Sequence, residues 1–188
     1  MGFLDILLGR SKPTRSRREA IFSITTAEVS LQTRFGILPS GRAAVSFKPV
    51  EASFFVNMDS EIRELLRISA RSTATKYEIK DDGYGYRWVI LEDRDFEDLV
   101  SIIHLVGETI ADNGYEQQLL AAVFGFKEGG KDIYWIYNYK RGRFYPFVPE
   151  GQQRRDSATE LRLRAVIEKE MPIEPSLERW YALWGIPF

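Results

Sequence analysis

Cysteine is absent from this chain, and histidine occurs once, as His104. The first absence excludes a disulfide framework, a thiolate nucleophile and a cysteine-ligated zinc site, and it is compatible with a reducing compartment. The second excludes metal sites built from several histidines and leaves a Ser-His-Asp arrangement only if His104 is its base. No G-x-S-x-G nucleophile turn is present. No apolar run approaches the roughly eighteen residues of a spanning helix. With a formal net charge of -1, no overall field draws the chain toward nucleic acid or membrane, so any electrostatic attraction must be local.

That local charge lies at the start. An apolar hook, Met1 to Gly9, carries Phe3, Leu4, Ile6, Leu7 and Leu8 and runs into a wholly basic tract with Arg10, Lys12, Arg15, Arg17 and Arg18. On a helix Phe3, Leu4, Leu7 and Leu8 share a side, and the following cations favour an anionic surface, so residues 1–18 read as a tether to a membrane or a partner. A secretory signal has its charges before a longer apolar stretch, so the hook is expected to stay on the mature protein. Ile6 stands where a myristoylation motif wants Ser or Thr. A hook folded back on its own domain stays open beside the tether. The remaining residues, 19–188, suffice for one domain, and 44% hydrophobic with 28% charged residues is ordinary for a globular protein.

Periodicity within 19–188 gives an α+β pattern. Glu19 to Ile24 reads as a short helix, Val29 to Phe35 and Arg42 to Lys48 as strands around a Leu38-Pro39-Ser40-Gly41 turn, and Ser53 to Val56 as a third, together an antiparallel meander. Asp59 or Ser60 is placed to cap a helix through Ile62, Leu65, Leu66 and Ser69, and Lys76 to Lys80 pairs with Tyr86 to Leu91 as a hairpin. The longest helix spans Asp95 to Asn113, where Phe96, Leu99, Val100, Ile103, Val106 and Ile110 keep helical spacing and Gly114 is a stop. Gln118 to Phe126 and Asp132 to Tyr139 form another hairpin, Arg143 to Val148 a short strand, Ser157 to Glu160 a capping box opening a helix to about Glu170, and Ser176 to Gly185 a last short helix. The expected architecture is a single α+β domain, mostly antiparallel sheet packed by a long central helix and C-terminal helices. Its element order is similar to secretion-chaperone-like folds, an analogy of architecture only.

Chemistry is less legible. Glu108 follows His104 by one helical turn, so the two together suit a proton relay or a metal, whereas a boundary histidine bonded to a neighbour explains His104 without either. Gly129-Gly130-Lys131 lacks the earlier glycine and the Ser or Thr of a phosphate loop, and Gly83-Tyr84-Gly85 precedes a strand, so both are turns. Between Lys140 and Phe147, the cations Lys140, Arg141 and Arg143 interleave with Phe144 and Tyr145. That mixture fits a nucleic-acid grip, and it equally fits a tight turn with alternating buried rings. Arg154 and Arg155 form a helix start or a polar rim, and Leu177, Trp180, Tyr181 and Trp184 a helical aromatic face docked on the core or on a partner.

Several blocks carry a family resemblance: MGFLDILLGRSKP at the start, DDGYGYRWVI, HLVGETIADNGYEQQLLAAVFGF, YKRGRFYPFVPEGQQRRDSATEL, and the closing PIEPSLERWYALWGIPF. In this order they resemble the PspA-associated protein family PspAB. The resemblance implies a non-enzymatic accessory of a phage-shock-like envelope stress response, working without a cofactor beside a PspA-type coiled-coil protein in the cytoplasm, at the inner face of the membrane. Attachment would fall to the hook and tract, with Lys140, Arg141, Arg143, Phe144, Tyr145, Arg154, Arg155, Trp180 and Trp184 as a further partner surface. A nucleic-acid-binding regulator using the tract and the 140–147 turn is the alternative, and a hydrolase around His104 a third.

Overall fold

The computed structural model describes residues 15–50 and 53–188. Helix α1 (Arg15–Glu19) passes through a 3-10 turn (Ala20–Phe22) into α2 (Ser23–Phe35), followed by β1 (Leu38–Phe47), α3 (Ser53–Thr73), β2 (Lys76–Asp81), β3 (Arg87–Glu92) and α4 (Phe96–Ile110). After α4 come β4 (Leu119–Glu128), β5 (Lys131–Asn138), β6 (Arg143–Phe147) and α5 (Ser157–Ile167). The strands form one six-stranded antiparallel sheet in the order β2-β3-β1-β4-β5-β6. The α+β architecture and the long central helix are those expected from the sequence.

Asp95 caps α4 by accepting from the Glu97 amide at 2.9 Å, and Phe96, Leu99, Val100, Ile103, Val106 and Ile110 are all buried. That stripe lies across β1 and β4, with α3 against α4 and β2, and α2 against α4, β1 and α5. Burial of each such side chain stabilises by about 1.5–3 kcal/mol, and the Phe96 ring meets Phe124 and Phe126 edge-on at 5.9 and 5.2 Å. Strand alternation sends Tyr134, Ile136, Tyr145 and Phe147 to the opposite face. There the closing residues cover them: Trp180 stacks on Tyr145 at 6.4 Å, Trp184 meets Phe147 at 5.0 Å and Phe188 meets Tyr134 at 5.9 Å.

The meander is replaced by helices. Val29 to Phe35 alternates like a strand, yet it belongs to α2, because Ile21, Ile24, Ala27 and Leu31 make a buried stripe at helical spacing while Val29 is 55% exposed. Gly36 ends this helix at φ 68°, its amide bonding the Gln32 carbonyl at 3.1 Å. Ser53 to Val56 opens α3, so Asp59 is interior to that helix and pairs with Arg63 and Arg87 rather than capping. Leu38 to Gly41 lies within β1, bulged between Pro39 and Ala43, so β1 pairs with β3 and β4. Asp156, not Ser157, caps α5, accepting from the Thr159 amide at 2.9 Å. Of the last expected helix only a 3-10 turn, Leu177–Arg179, forms.

Candidate functional site

The expectations for Phe3, Leu4, Ile6, Leu7, Leu8, Arg10 and Lys12, and for the side chain of Arg15, fall outside the described residues. Arg17 and Arg18 are described, and they seat the start of the domain at one end of the sheet. Arg18 donates to Glu108 through Nε and, at 3.3 Å, through Nη2, and its Nη1 lies 3.7 Å from Glu116. The hydrogen bond to Glu108 holds the guanidinium above its ordinary pKa despite partial burial. Beside it the Tyr137 hydroxyl donates to the Arg17 carbonyl. Tyr137 near the end of β5 and Tyr139 just after it meet edge-on at 5.4 Å, and burial pushes both phenols well above their ordinary range. Gly107 admits Tyr139, since a Cβ there would lie 2.9 Å from the phenol oxygen.

The turn joining β5 to β6 completes this end. Asn138 accepts from the amides of Arg141 and Gly142 at 3.1 and 2.8 Å. Gly142 has φ 64°, and a Cβ there would lie 3.1 Å from the Cβ of Arg17, so the turn presses on the stem of the basic tract. Cations and rings then part company along the strand. Lys140, Arg141 and Arg143 face solvent, whereas Phe144 and Tyr145 are buried in the core and offer no face for a base to stack on. Arg141 donates to buried Glu174 at 2.8 Å, with Arg179 at 4.0 Å on the same carboxylate, and Arg143 donates to the Ile173 carbonyl at 3.1 Å. Among the described residues Arg17, Lys140 and Arg143 have no carboxylate partner.

The other sequence-suggested groups hold the fold together. Arg155 donates to Glu160 at 2.8 Å and to the Trp180 carbonyl at 2.6 Å, and Glu160 also accepts from the Val148 amide at 2.9 Å. Burial pushes the Glu160 carboxyl up against the pull of Arg155. Trp180 is buried and donates to the Glu174 carbonyl at 2.9 Å, Trp184 is half-buried on Phe147, and Arg154, Leu177 and Tyr181 are exposed. Lys131 closes the β4–β5 hairpin opposite Glu128, and Asp82 organises the β2–β3 turn by accepting from the amides of Tyr84 and Tyr86 at 2.8 and 2.9 Å.

His104 is half-buried with its ring 4.7 Å from Phe22, and Glu108 is bound to Arg18. The expectation of a His104–Glu108 relay therefore meets a carboxylate already engaged elsewhere. At the far end of α4 an open cleft of about 1330 Å³ is lined by the acids Glu28, Glu92, Asp93, Asp95 and Glu97, partly offset by Arg42, Lys76 and Arg94. Burial, with Glu97 adding to it, pushes Glu28 above its ordinary pKa. Among the described residues no group of three or more His, Asp or Glu is placed to hold a metal ion. Reasoning along the sequence missed both the Arg18–Glu108 tie and this cleft; no local signal links positions 90 residues apart.

The seat of the basic tract is built from residues scattered over the whole chain, and a family model described as PspA associated protein B (PspAB) matches that whole length, residues 1–188. This chain belongs to the PspAB family. No curated protein and no solved structure matches it. As a PspAB member it is a PspA-associated protein, which agrees with an accessory role beside PspA. Among its described residues no helix is long and apolar enough to cross a membrane.

Proposed function

We propose that this PspAB protein is a non-enzymatic accessory or regulator of a PspA-type envelope stress response. Its N-terminal segment attaches the domain to a PspA-type coiled-coil partner or to the cytoplasmic face of the membrane. The observation that supports this reading is the seating of Arg17 and Arg18, which ties the end of the basic tract to β5 and α4. Apolar residues in the hook would dock or insert, and the tract would add electrostatic attraction.

Two sets of substitutions separate these roles. Leu4→Asp with Leu7→Asp removes the apolar face, and Arg10→Glu with Lys12→Glu reverses the charge, while the seat at Arg17 and Arg18 is left intact. Each set is expected to weaken binding to a PspA-type protein or to anionic vesicles by tenfold or more, on the order of the sum of the lost contacts. Unchanged binding in both variants, to both targets, would remove the attachment reading.

A further inference from the structure

The basic tract and the β5–β6 turn, separate features along the chain, meet at one end of the sheet. Gly142 lies against the Cβ and Cγ of Arg17, at 3.1 and 3.2 Å from where its own Cβ would be, and Tyr137 holds the Arg17 carbonyl from below. Exposed Arg17, Lys140 and Arg143 therefore share this end, on backbone fixed by the Asn138 turn bonds and by the Phe144 amide bond to Pro172 at 2.9 Å. Three of the acids near them are already engaged, Glu174 by Arg141 and Arg179, and Glu108 and Glu116 by Arg18, while Glu19 on α1 and Asp112 beyond α4 offset part of the positive charge.

We infer that this end of the sheet, with Lys140 and Arg143 beside Arg17, is a docking surface for an anionic lipid bilayer and turns the β5–β6 turn toward the membrane. The inference rests on the attachment reading above and adds an orientation to it. Charge complementarity favours an anionic surface, and α1, the described element that ends the basic tract, lies at the same end. Burial of Phe144 and Tyr145 disfavours single-stranded nucleic acid, which needs rings for stacking. Arg141, already paired with Glu174, contributes less than its exposure suggests.

The test uses the full chain and vesicles of phosphatidylcholine with and without phosphatidylserine. Neutralising a cation near such a surface costs roughly fivefold in partitioning, so Lys140→Gln with Arg143→Gln should weaken binding to serine-containing vesicles by about 25-fold. Glutamine keeps a donor for the Ile173 carbonyl, and an unchanged thermal midpoint verifies the fold. Arg71→Gln with Arg94→Gln, the same charge change on exposed cations away from this end, should have a small effect. An equal loss in that control, or full binding by the Lys140 and Arg143 variant while Leu4→Asp with Leu7→Asp abolishes it, overturns the inference and leaves hook attachment standing. Vesicle binding that survives the hook variant and is lost at Lys140 and Arg143 supports the surface and sinks hook attachment instead. Absence of wild-type binding to either vesicle, or a loss confined to DNA or RNA binding, overturns the surface.

Discussion

Gly142 is the residue on which the proposed attachment end turns. Its φ of 64° strains any L side chain, and a Cβ there would crowd the stem of Arg17 at 3.1 Å. Gly142→Ala is expected to destabilise the fold by about 1–2 kcal/mol through left-handed strain and displacement of α1, read as a lower urea midpoint. Faster proteolysis before residue 20 should accompany it. Titration acts on single residues too. The Thr159 amide and hydroxyl, with Lys131, hold Asp156 at a pKa of about 2. Because the folded carboxyl is depressed, its stabilisation is present above the unfolded value near 3.9 and is lost as pH falls toward 2. Asp156→Asn keeps a competent N-cap without that titration, so acid unfolding curves of the variant should flatten between pH 4 and 2. Gly142 was legible in the sequence as a turn, whereas its pressure on Arg17 depends on a contact between residues far apart in the chain. No local pattern encodes it.

At the level of elements, α2 shows how pattern misleads. Val29, Leu31, Thr33 and Phe35 alternate as a strand would, but Leu31 continues the stripe of Ile21, Ile24 and Ala27 and is fully buried. The longer helical period decides because it buries more apolar surface against α4 and β1. Leu31→Ala is expected to cost about 2–5 kcal/mol, and Val29→Asp to stay within about 0.5 kcal/mol; a strand at this position would make Val29 as sensitive as Leu31 in chemical unfolding. By contrast α4, with its Asp95 cap and unbroken stripe, and β4, β5 and β6, with turn residues at each junction, were legible because local and tertiary preferences agree. In the closing segment the spacing of Leu177, Trp180, Tyr181 and Trp184 predicts a helix from Ser176 to Gly185. After Trp180 its rings instead spread over Tyr134 and Phe147, and the amides of residues 181–188 join no helix or strand ladder, with only a turn at Trp184 and Gly185. Those amides should exchange with deuterium much faster than those of β5.

For the whole molecule, the helices cover one face of the sheet and the closing aromatic segment covers the other over β4, β5 and β6, while β2 at the edge stays exposed. Two features stand at the ends of the sheet: the acidic cleft where α4 begins, and the end where α1, the close of α4 and the cations of the β5–β6 turn meet. The sequence revealed the cations of the second end without revealing that they are neighbours, since the tract and the turn lie more than a hundred residues apart. Amide hydrogen exchange on the intact protein, with and without anionic vesicles, tests the attachment end most directly. The expected result is protection confined to the first nineteen residues and to the turn from Asn138 to Arg143. Protection at α3 or around the acidic cleft, with the turn unchanged, would contradict it.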